Sequence, residues 1–499
     1  MSKTNESQLN LMLKYYLAEK DSNTNQEIEA KFGTRGFRNL TIGRADFENV
    51  IKKLKSTGFY SEPVSDLLRI QNEFIDEKRG KTNLSNIRTE ITGITQIQKY
   101  CNDNSVLDKD MAVMRNVQFV QKTIKKVDNK PIYPINYDDF NFRISYSTEK
   151  KLPSNIGLIQ AILSKWNDSR KVYRLLSRST FINSKYPMRV DCSIVKSSMK
   201  ENRKYVPTYT IKDSKIFTQN PSFEIEIELD NDKIAAMGLT NVQIAGMLRQ
   251  VIKIVMSGLQ QTNFPTAYTK NEAILQEYLK LINKSKNPIE RRIKTRDFIG
   301  PSSISLELTN ISPVNQDAMF PNINQPYTVT EKADGIRKLL YIGSRGLMWL
   351  IDINMNVQFT GTRITNEEYF DSILDGEHVL HDKNGMFIDT YLAFDLYFVN
   401  GEDYRGYPLL KIANLTYDNP DMDKNKFRYN TLRKLLKMSE IQGVTPSKPS
   451  FKVKAKTFYT NETSSIFTQC KFILDGIEDG TMFEYETDGL IFTPIDKSV

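Results

Sequence analysis

The sequence predicts an α+β protein of more than one domain, and three observations carry that reading. Two short stretches, around Glu27 and Glu226, alternate glutamate with apolar residues, as a strand does when one face is charged. From Thr240 the apolar spacing changes to that of a helix, with Ile244, Leu248, Val251, Ile252, Val255 and Leu259 in register. Further on, the chain returns to strand-like runs broken by acidic residue–glycine pairs, the first of them beside Lys332. A chain of 499 residues is also too long for one ordinary core. The expected divisions are a β-rich domain over 1–235, a helical connector over 236–288 and a second domain over 289–499.

The chain opens with a short helical pattern, Glu6 to Glu19. In Gln26–Gly33 that follows, Glu27, Glu29 and Lys31 point to one face of a strand and Ile28, Ala30 and Phe32 to the other. Taken alone this is an amphipathic strand with a wet charged face. The pattern returns as Phe223-Glu224-Ile225-Glu226-Ile227-Glu228-Leu229. Three glutamates on one face repel one another, and a divalent cation that prefers oxygen ligands, Mg²⁺ or Mn²⁺, would relieve that repulsion. One such strand opens and the other closes a β-rich segment, so a closed barrel with a charged interior is expected. Strand-like runs between them place Arg143, Arg174, Arg178, Arg189 and Lys196 among apolar residues. Cations and carboxylates lining one barrel suit a triphosphate.

A first helix, with Thr240 or Asn241 as its N-cap, and a second from about Asn271 to Ile282 make up the expected connector; either helix could equally belong to a flanking domain. Lys284-Ser285-Lys286-Asn287-Pro288 ends this stretch.

In the second domain Tyr327-Thr328-Val329 reads as a strand, then Thr330-Glu331-Lys332-Ala333-Asp334-Gly335-Ile336-Arg337, then Leu339–Ile342 as another strand. A lysine so placed can attack the α-phosphate of a nucleotide, provided neighbouring cations and desolvation lower its pKa. The plain alternative is an Asp-Gly hairpin with solvated charges. Three further segments follow: Asp375-Gly376-Glu377, the aromatic strand holding Phe394 and Asp395, and Thr487-Asp488-Gly489-Leu490-Ile491-Phe492. Phe451-Lys452-Val453-Lys454-Ala455-Lys456 is a basic strand whose lysines face phosphates or protect an edge.

Composition narrows the partners. The formal charge of +9 favours a polyanion, although many proteins with a modest positive excess never meet nucleic acid. Cys101, Cys192 and Cys470 lie far apart, which argues against a zinc site or a disulfide framework and for a reducing compartment. No apolar run suggests a signal peptide or a membrane span, so no membrane partner is expected.

In order and spacing, Lys332, Asp375-Gly376-Glu377 and Asp488-Gly489 resemble the covalent nucleotidyltransferases, which comprise mRNA guanylyltransferases and polynucleotide ligases. Residues 1–235 resemble the tunnel-type metal-dependent triphosphatases, whose signature is two strands of alternating glutamates. The two in this order resemble the mRNA-capping enzymes of large cytoplasmic DNA viruses, of the asfarvirus and mimivirus types. The resemblance implies an antiparallel β-tunnel followed by antiparallel sheets flanked by helices. It implies metal ligands at Glu27, Glu29, Glu224 and Glu226, with Glu228 placing the water or completing the metal shell, and phosphate contacts at Lys31, Arg143, Arg174, Arg178, Arg189 and Lys196. It further implies Lys332 as the nucleophile toward GTP and Asp488 as the metal- or phosphate-side carboxylate. Arg337 and Glu377 would hold the ribose, Phe394 (or else Tyr397 or Phe398) the base, and Asp334, Lys452 and Lys454 the rest of the nucleotide.

The implied substrates are the 5′ end of nascent RNA and GTP, and the implied place is the viral factory in the host cytoplasm, with the virion as a second site. The family continues past its Asp-Gly-Leu-Ile-Phe element with a lysine-bearing strand, an OB-fold lid and often a methyltransferase domain. Here the sequence stops at Val499. Either the sequence is a fragment or another chain supplies those parts, and weak self-guanylation is expected without them. Two other readings remain: an ATP-dependent polynucleotide ligase with an unrelated N-terminal domain, and a non-catalytic RNA-binding scaffold. A ligase has no use for the paired glutamate strands.

Overall fold

The computed structural model describes residues 3–18, 25–33, 41–76, 80–106, 116–291, 293–313, 320–412, 415, 426–445, 450–462 and 464–499. The chain divides between Gln261 and Thr262 into two units.

In the first unit eight strands form a closed antiparallel ring. They are β1 (Asn25–Phe32), β2 (Ser65–Asp76), β3 (Ile87–Thr92), β4 (Val117–Ile124), β5 (Phe142–Leu152), β6 (Lys171–Ile182), β7 (Met188–Ser197) and β8 (Ser222–Leu229). The order around the ring is β6-β7-β8-β1-β5-β4-β3-β2, and β2 pairs back onto β6. Closure leaves none of the eight with a free edge, and alternation sorts the side chains. Ile28, Ala30, Phe32, Ile225, Ile227 and Leu229 are buried on the outer face, while the glutamates between them turn inward. The apolar outer face is covered by helices such as α1 (Lys3–Ala18) and α2 (Arg44–Ser56), where Phe47 meets Phe223 with ring centroids 5.1 Å apart.

The helix α3 (Asn241–Leu259) starts at Thr240, whose side chain accepts a hydrogen bond from the Gln243 N–H, closing a capping box. By length and composition this helix is apolar enough to cross a membrane. Its Ile244, Leu248, Val251 and Val255 are buried, and the helix packs on α1 and α2, as a core helix does. The helix α4 (Tyr268–Ile282) belongs to the second unit. The stretch expected as a connector is therefore split, because each helix buries its apolar stripe on a different core.

The second unit holds two sheets. The larger contains β10 (Ile336–Ile342), β11 (Leu347–Asp352), β12 (Val357–Ile364), β13 (Ser372–His381), β14 (Phe387–Val399) and β15 (Ile441–Gly443), in the order β14-β13-β10-β11-β12-β15. Glu402–Asp403 pairs with β14, as does β16 (Lys452–Ala455), the latter in parallel. One face buries Leu340, Leu374 and Leu396 with Leu432 of α5 (Arg428–Met438). The other buries Leu339, Trp349 and Phe398 with Tyr278 of α4. Burial on both faces explains why these strands read as continuous apolar runs. The smaller sheet places β9 (Tyr327–Ala333) between Tyr459–Thr460 and β17 (Thr487–Pro494), under α6 (Ile466–Glu478).

The Asp334-Gly335 pair is not a hairpin turn. The strands it joins, β9 and β10, lie in different sheets, so the chain crosses from one to the other directly after Lys332.

Candidate active sites

Inside the barrel, β1 and β8 are neighbours, and Glu29 stands opposite Glu228 with Lys31 opposite Glu226. All five sequence-marked glutamates share this lining. Lys122 bridges Glu27 at 2.5 Å and Glu29 at 3.0 Å, and Lys31 bridges Glu224 at 2.9 Å and Glu226 at 2.5 Å. Arg174 reaches Glu224 at 2.8 Å, and Arg189 reaches Glu228 at 2.7 Å. Arg178 contacts Asp191 at 3.0 Å and Glu226 at 3.6 Å.

Burial pushes the Glu228 carboxyl up to about 8, with Glu27 and Asp191 adding to the effect against the pull of Arg189. Burial also raises Glu29, with Glu226 and Glu27 opposing the pull of Lys122. At Glu226 burial acts upward too, but Lys31, Arg178 and Arg69 outweigh it and the carboxyl ends below its usual range. Arg143 stands opposite Lys31, and its Nε is buried without a hydrogen-bond partner among the described residues.

Lys196 departs from expectation. It falls on the opposite face of β7 from Arg189, Asp191 and Ser193, and its Nζ donates to the Phe217 carbonyl at 3.0 Å. Single-residue alternation decides this, because an even position cannot share the lining with odd ones. Sequence reasoning passed over Lys122, Asp191 and a further set, Arg69, Arg88, Glu90 and Glu149, which are ion-paired with one another. Lys122 and Asp191 sat in runs already read as charged strands; their pairing with the glutamates needed the ring order.

The donor set suits a hard divalent cation: five carboxylates on adjacent strands, at least two of them raised by burial. Among the described residues no three potential ligands already form a metal cage. The two lysine bridges hold the carboxylates as pairs instead.

In the second unit the pairing of β9 with β17 shifts register between Glu331 and Ala333. That bulge turns Lys332 out of the ladder, as bulges commonly re-aim a side chain. Its Nζ donates to Asp488 at 2.5 Å. The expected lowered pKa is absent. The hydrogen bond to Asp488 raises the amine, and Glu377 and Asp334 add to it, because Lys332 is half-exposed and its near neighbours are acids.

Glu377 stands opposite Arg337 across β13 and β10. Burial raises its carboxyl against Lys456 and Lys332, and its Oε2 is buried without a partner among the described residues. Arg337 is held by Asp375 at 3.1 and 2.5 Å and by the Pro301 carbonyl at 2.7 Å. Three of its five N–H bonds are thus used. Its guanidinium lies 5.9 Å from the Phe394 ring centroid and 5.6 Å from that of Phe298. Tyr397 donates to the same Asp375 carboxylate at 2.5 Å. Asp395 is tied to Arg428 at 2.8 Å, away from solvent on both sides.

Lys452 and Lys454 are exposed, Lys454 pairing with Glu484 at 2.5 Å. Lys456 is the buried member of that series. It donates to the Glu331 carbonyl at 2.5 Å and lies 3.4 Å from its carboxylate, directly beside Lys332 in the strand. The alternate spacing of Lys452, Lys454 and Lys456 was the signal for it.

Residues 260–499 match the family described as mRNA capping enzyme, catalytic domain. The chain is similar over 384 residues to the probable mRNA-capping enzyme of Acanthamoeba polyphaga mimivirus, with 24% identity. The similarity covers 72% of this chain and 29% of that protein, so the chain spans less than a third of its relative's length. Among solved structures, the mimivirus capping enzyme triphosphatase is 18% identical, covering 51% of this chain and 98% of its own at a TM-score of 0.30. The S. pombe Pct1 RNA triphosphatase is 14% identical, covering 50% and 89% at a TM-score of 0.29.

Proposed function

We propose that the chain performs two steps of mRNA 5′ capping: loss of the γ-phosphate from triphosphate-ended RNA in the barrel, then GMP transfer from GTP in the second unit. The observation that supports this best is Glu29 facing Glu228 inside a closed ring that also carries arginines and lysines. In this reading Glu27, Glu29, Glu224 and Glu226 hold Mg²⁺ or Mn²⁺, which when bound neutralises charge on the phosphate oxygens. Lys31, Arg143, Arg174, Arg178 and Arg189 clamp the remaining oxygens, and Glu228 orients the water. The water oxygen bonds to the γ-phosphorus as the bond to the β-phosphate oxygen breaks, releasing inorganic phosphate and diphosphate-ended RNA.

In the second unit the Lys332 Nζ bonds to the α-phosphorus of GTP as pyrophosphate leaves. The terminal oxygen of the RNA diphosphate then takes the GMP and frees the amine. Glu377, whose Oε2 lacks a partner among the described residues, accepts from a ribose hydroxyl, and the Arg337 guanidinium held by Asp375 and Pro301 serves the same sugar. Phe394 supports the base. Asp488 acts on the phosphate side, with Asp334, Lys452 and Lys454 at the rim. A further domain or subunit carrying an OB lid or a methyltransferase fits this scheme, as does a viral factory as the place of action.

The test is phosphate release from triphosphate-ended RNA and the intact mass of the chain after incubation with GTP or ATP and Mg²⁺ or Mn²⁺. Release lost in Glu226→Gln but kept in Lys332→Ala, together with a GMP adduct lost only in the latter, is the expected result. An adduct with ATP but not GTP would favour a ligase.

A further inference from the structure

The two mouths of the barrel differ. Register places the end of β1, the start of β5, the start of β6, the end of β7 and the start of β8 at one mouth: Phe32 pairs with Phe142, Arg174 with Ser197, and Val195 with Ser222. The segment joining β7 to β8 therefore leaves and rejoins the barrel at this rim, where it packs against the outer wall. Between Ser198 and Pro221 it carries five basic residues against two acidic ones. At the other mouth the end of β8 is followed by Asp230 and Asp232, and both bear on the buried Tyr16 of α1.

The segment is pinned in place. Ile211 and Ile216 are buried in the domain core, and Thr208 pairs with Lys171 through backbone bonds of 2.7 and 2.9 Å. Lys196 holds the Phe217 carbonyl, and Tyr173 and Asn104 hold the Tyr209 carbonyl. Despite these ties, the Tyr209 and Phe217 side chains are half-exposed, at 53% and 50%. Rigidly held aromatic faces beside cations form the surface on which unpaired bases stack.

The hairpin Lys200–Glu201 with Lys204–Tyr205 turns through Asn202 and Arg203, at φ +48° and +66°. Lys215 also has a positive φ of +53°. Two exposed cations thus occupy backbone positions where glycine would cost less.

Resting on the triphosphatase reading, we propose that this segment is a collar for single-stranded RNA, and that the transcript leaves the tunnel through this mouth with its first bases on Tyr209 and Phe217. Charge complementarity supports that occupant, as does continuity with the tunnel cations Lys31, Arg143 and Arg174, which lie toward the same opening.

The experiment uses the full chain with Tyr209→Ala/Phe217→Ala and Lys204→Ala/Lys215→Ala double variants. Fluorescence anisotropy with a short 5′-hydroxyl RNA reads the collar without any chemistry. The aromatic variant should bind about tenfold more weakly at every salt concentration. The basic variant should lower the slope of log affinity against log salt by roughly 1.4, two phosphate contacts at about 0.7 each. For triphosphate-ended RNA, KM should rise about tenfold in both variants, while phosphate release from free GTP stays unchanged and so reports an intact tunnel. Unchanged RNA affinity and unchanged KM would overturn the collar. So would unchanged RNA affinity with lost binding of an acidic peptide, which would point to a protein partner. If wild-type protein releases no phosphate from RNA or GTP, the triphosphatase reading fails, while the anisotropy result still stands for or against the collar.

Discussion

Lys332 and Asp488 meet at 2.5 Å across β9 and β17, and the acid holds the amine in its charged form. In the proposed transfer, Lys332 must lose that proton before its amine can attack phosphorus.

The first prediction concerns this pair. Because Asp488 lifts the Lys332 pKa above its usual value, the neutral fraction grows only as pH rises toward and past that value. The initial rate of GMP-adduct formation should therefore climb about tenfold per pH unit from pH 6 to 9 without a plateau. A plateau near neutral pH, measured by intact mass against time, would mean that the amine is already deprotonated. Lys332→Arg should form no adduct at any pH.

A second prediction tests the carboxylate lining. Glu29→Gln and Glu226→Gln should each lower phosphate release from triphosphate-ended RNA by about 100-fold or more. Glu62→Gln, an exposed residue outside the lining, should leave the rate unchanged. Equal rates in all three, in a phosphate-release assay, would remove the barrel interior from the chemistry.

Gly300 is the third. A Cβ built there would fall 2.6 Å from Arg337 Nη2 and 2.8 Å from the Tyr397 hydroxyl, and its φ of +121° is open to little but glycine. Gly300→Ala should displace the guanidinium held by Asp375 and Pro301 and weaken GTP binding about 10- to 100-fold. Phosphate release by the barrel should not change, which separates a local effect from general unfolding.

The fourth compares two lysines of one strand series. Lys456 is fully buried against Glu331, so Lys456→Met should cost about 3–5 kcal/mol of stability in the second unit by leaving that carboxylate without its cation. The exposed Lys454→Met, opposite Glu484, should cost less than about 1 kcal/mol. Denaturant titration of both variants gives the comparison directly.

Local pattern was enough to mark the glutamate strands, the helix beginning at Thr240 and the Lys332 segment, because alternation, capping and helical period are properties of neighbouring residues. Which strands become neighbours is decided by long-range pairing. The ring order brought Lys122 to Glu27 and Glu29. Sheet assignment turned the expected Asp334-Gly335 turn into a crossing between two sheets, and a bulge set Lys332 beside Asp488 rather than among cations. The sequence by itself determined which side chains could do chemistry and which face of each strand they shared. Tertiary structure alone decided their partners, since the charge felt by a buried group comes from whatever distant strand is packed against it.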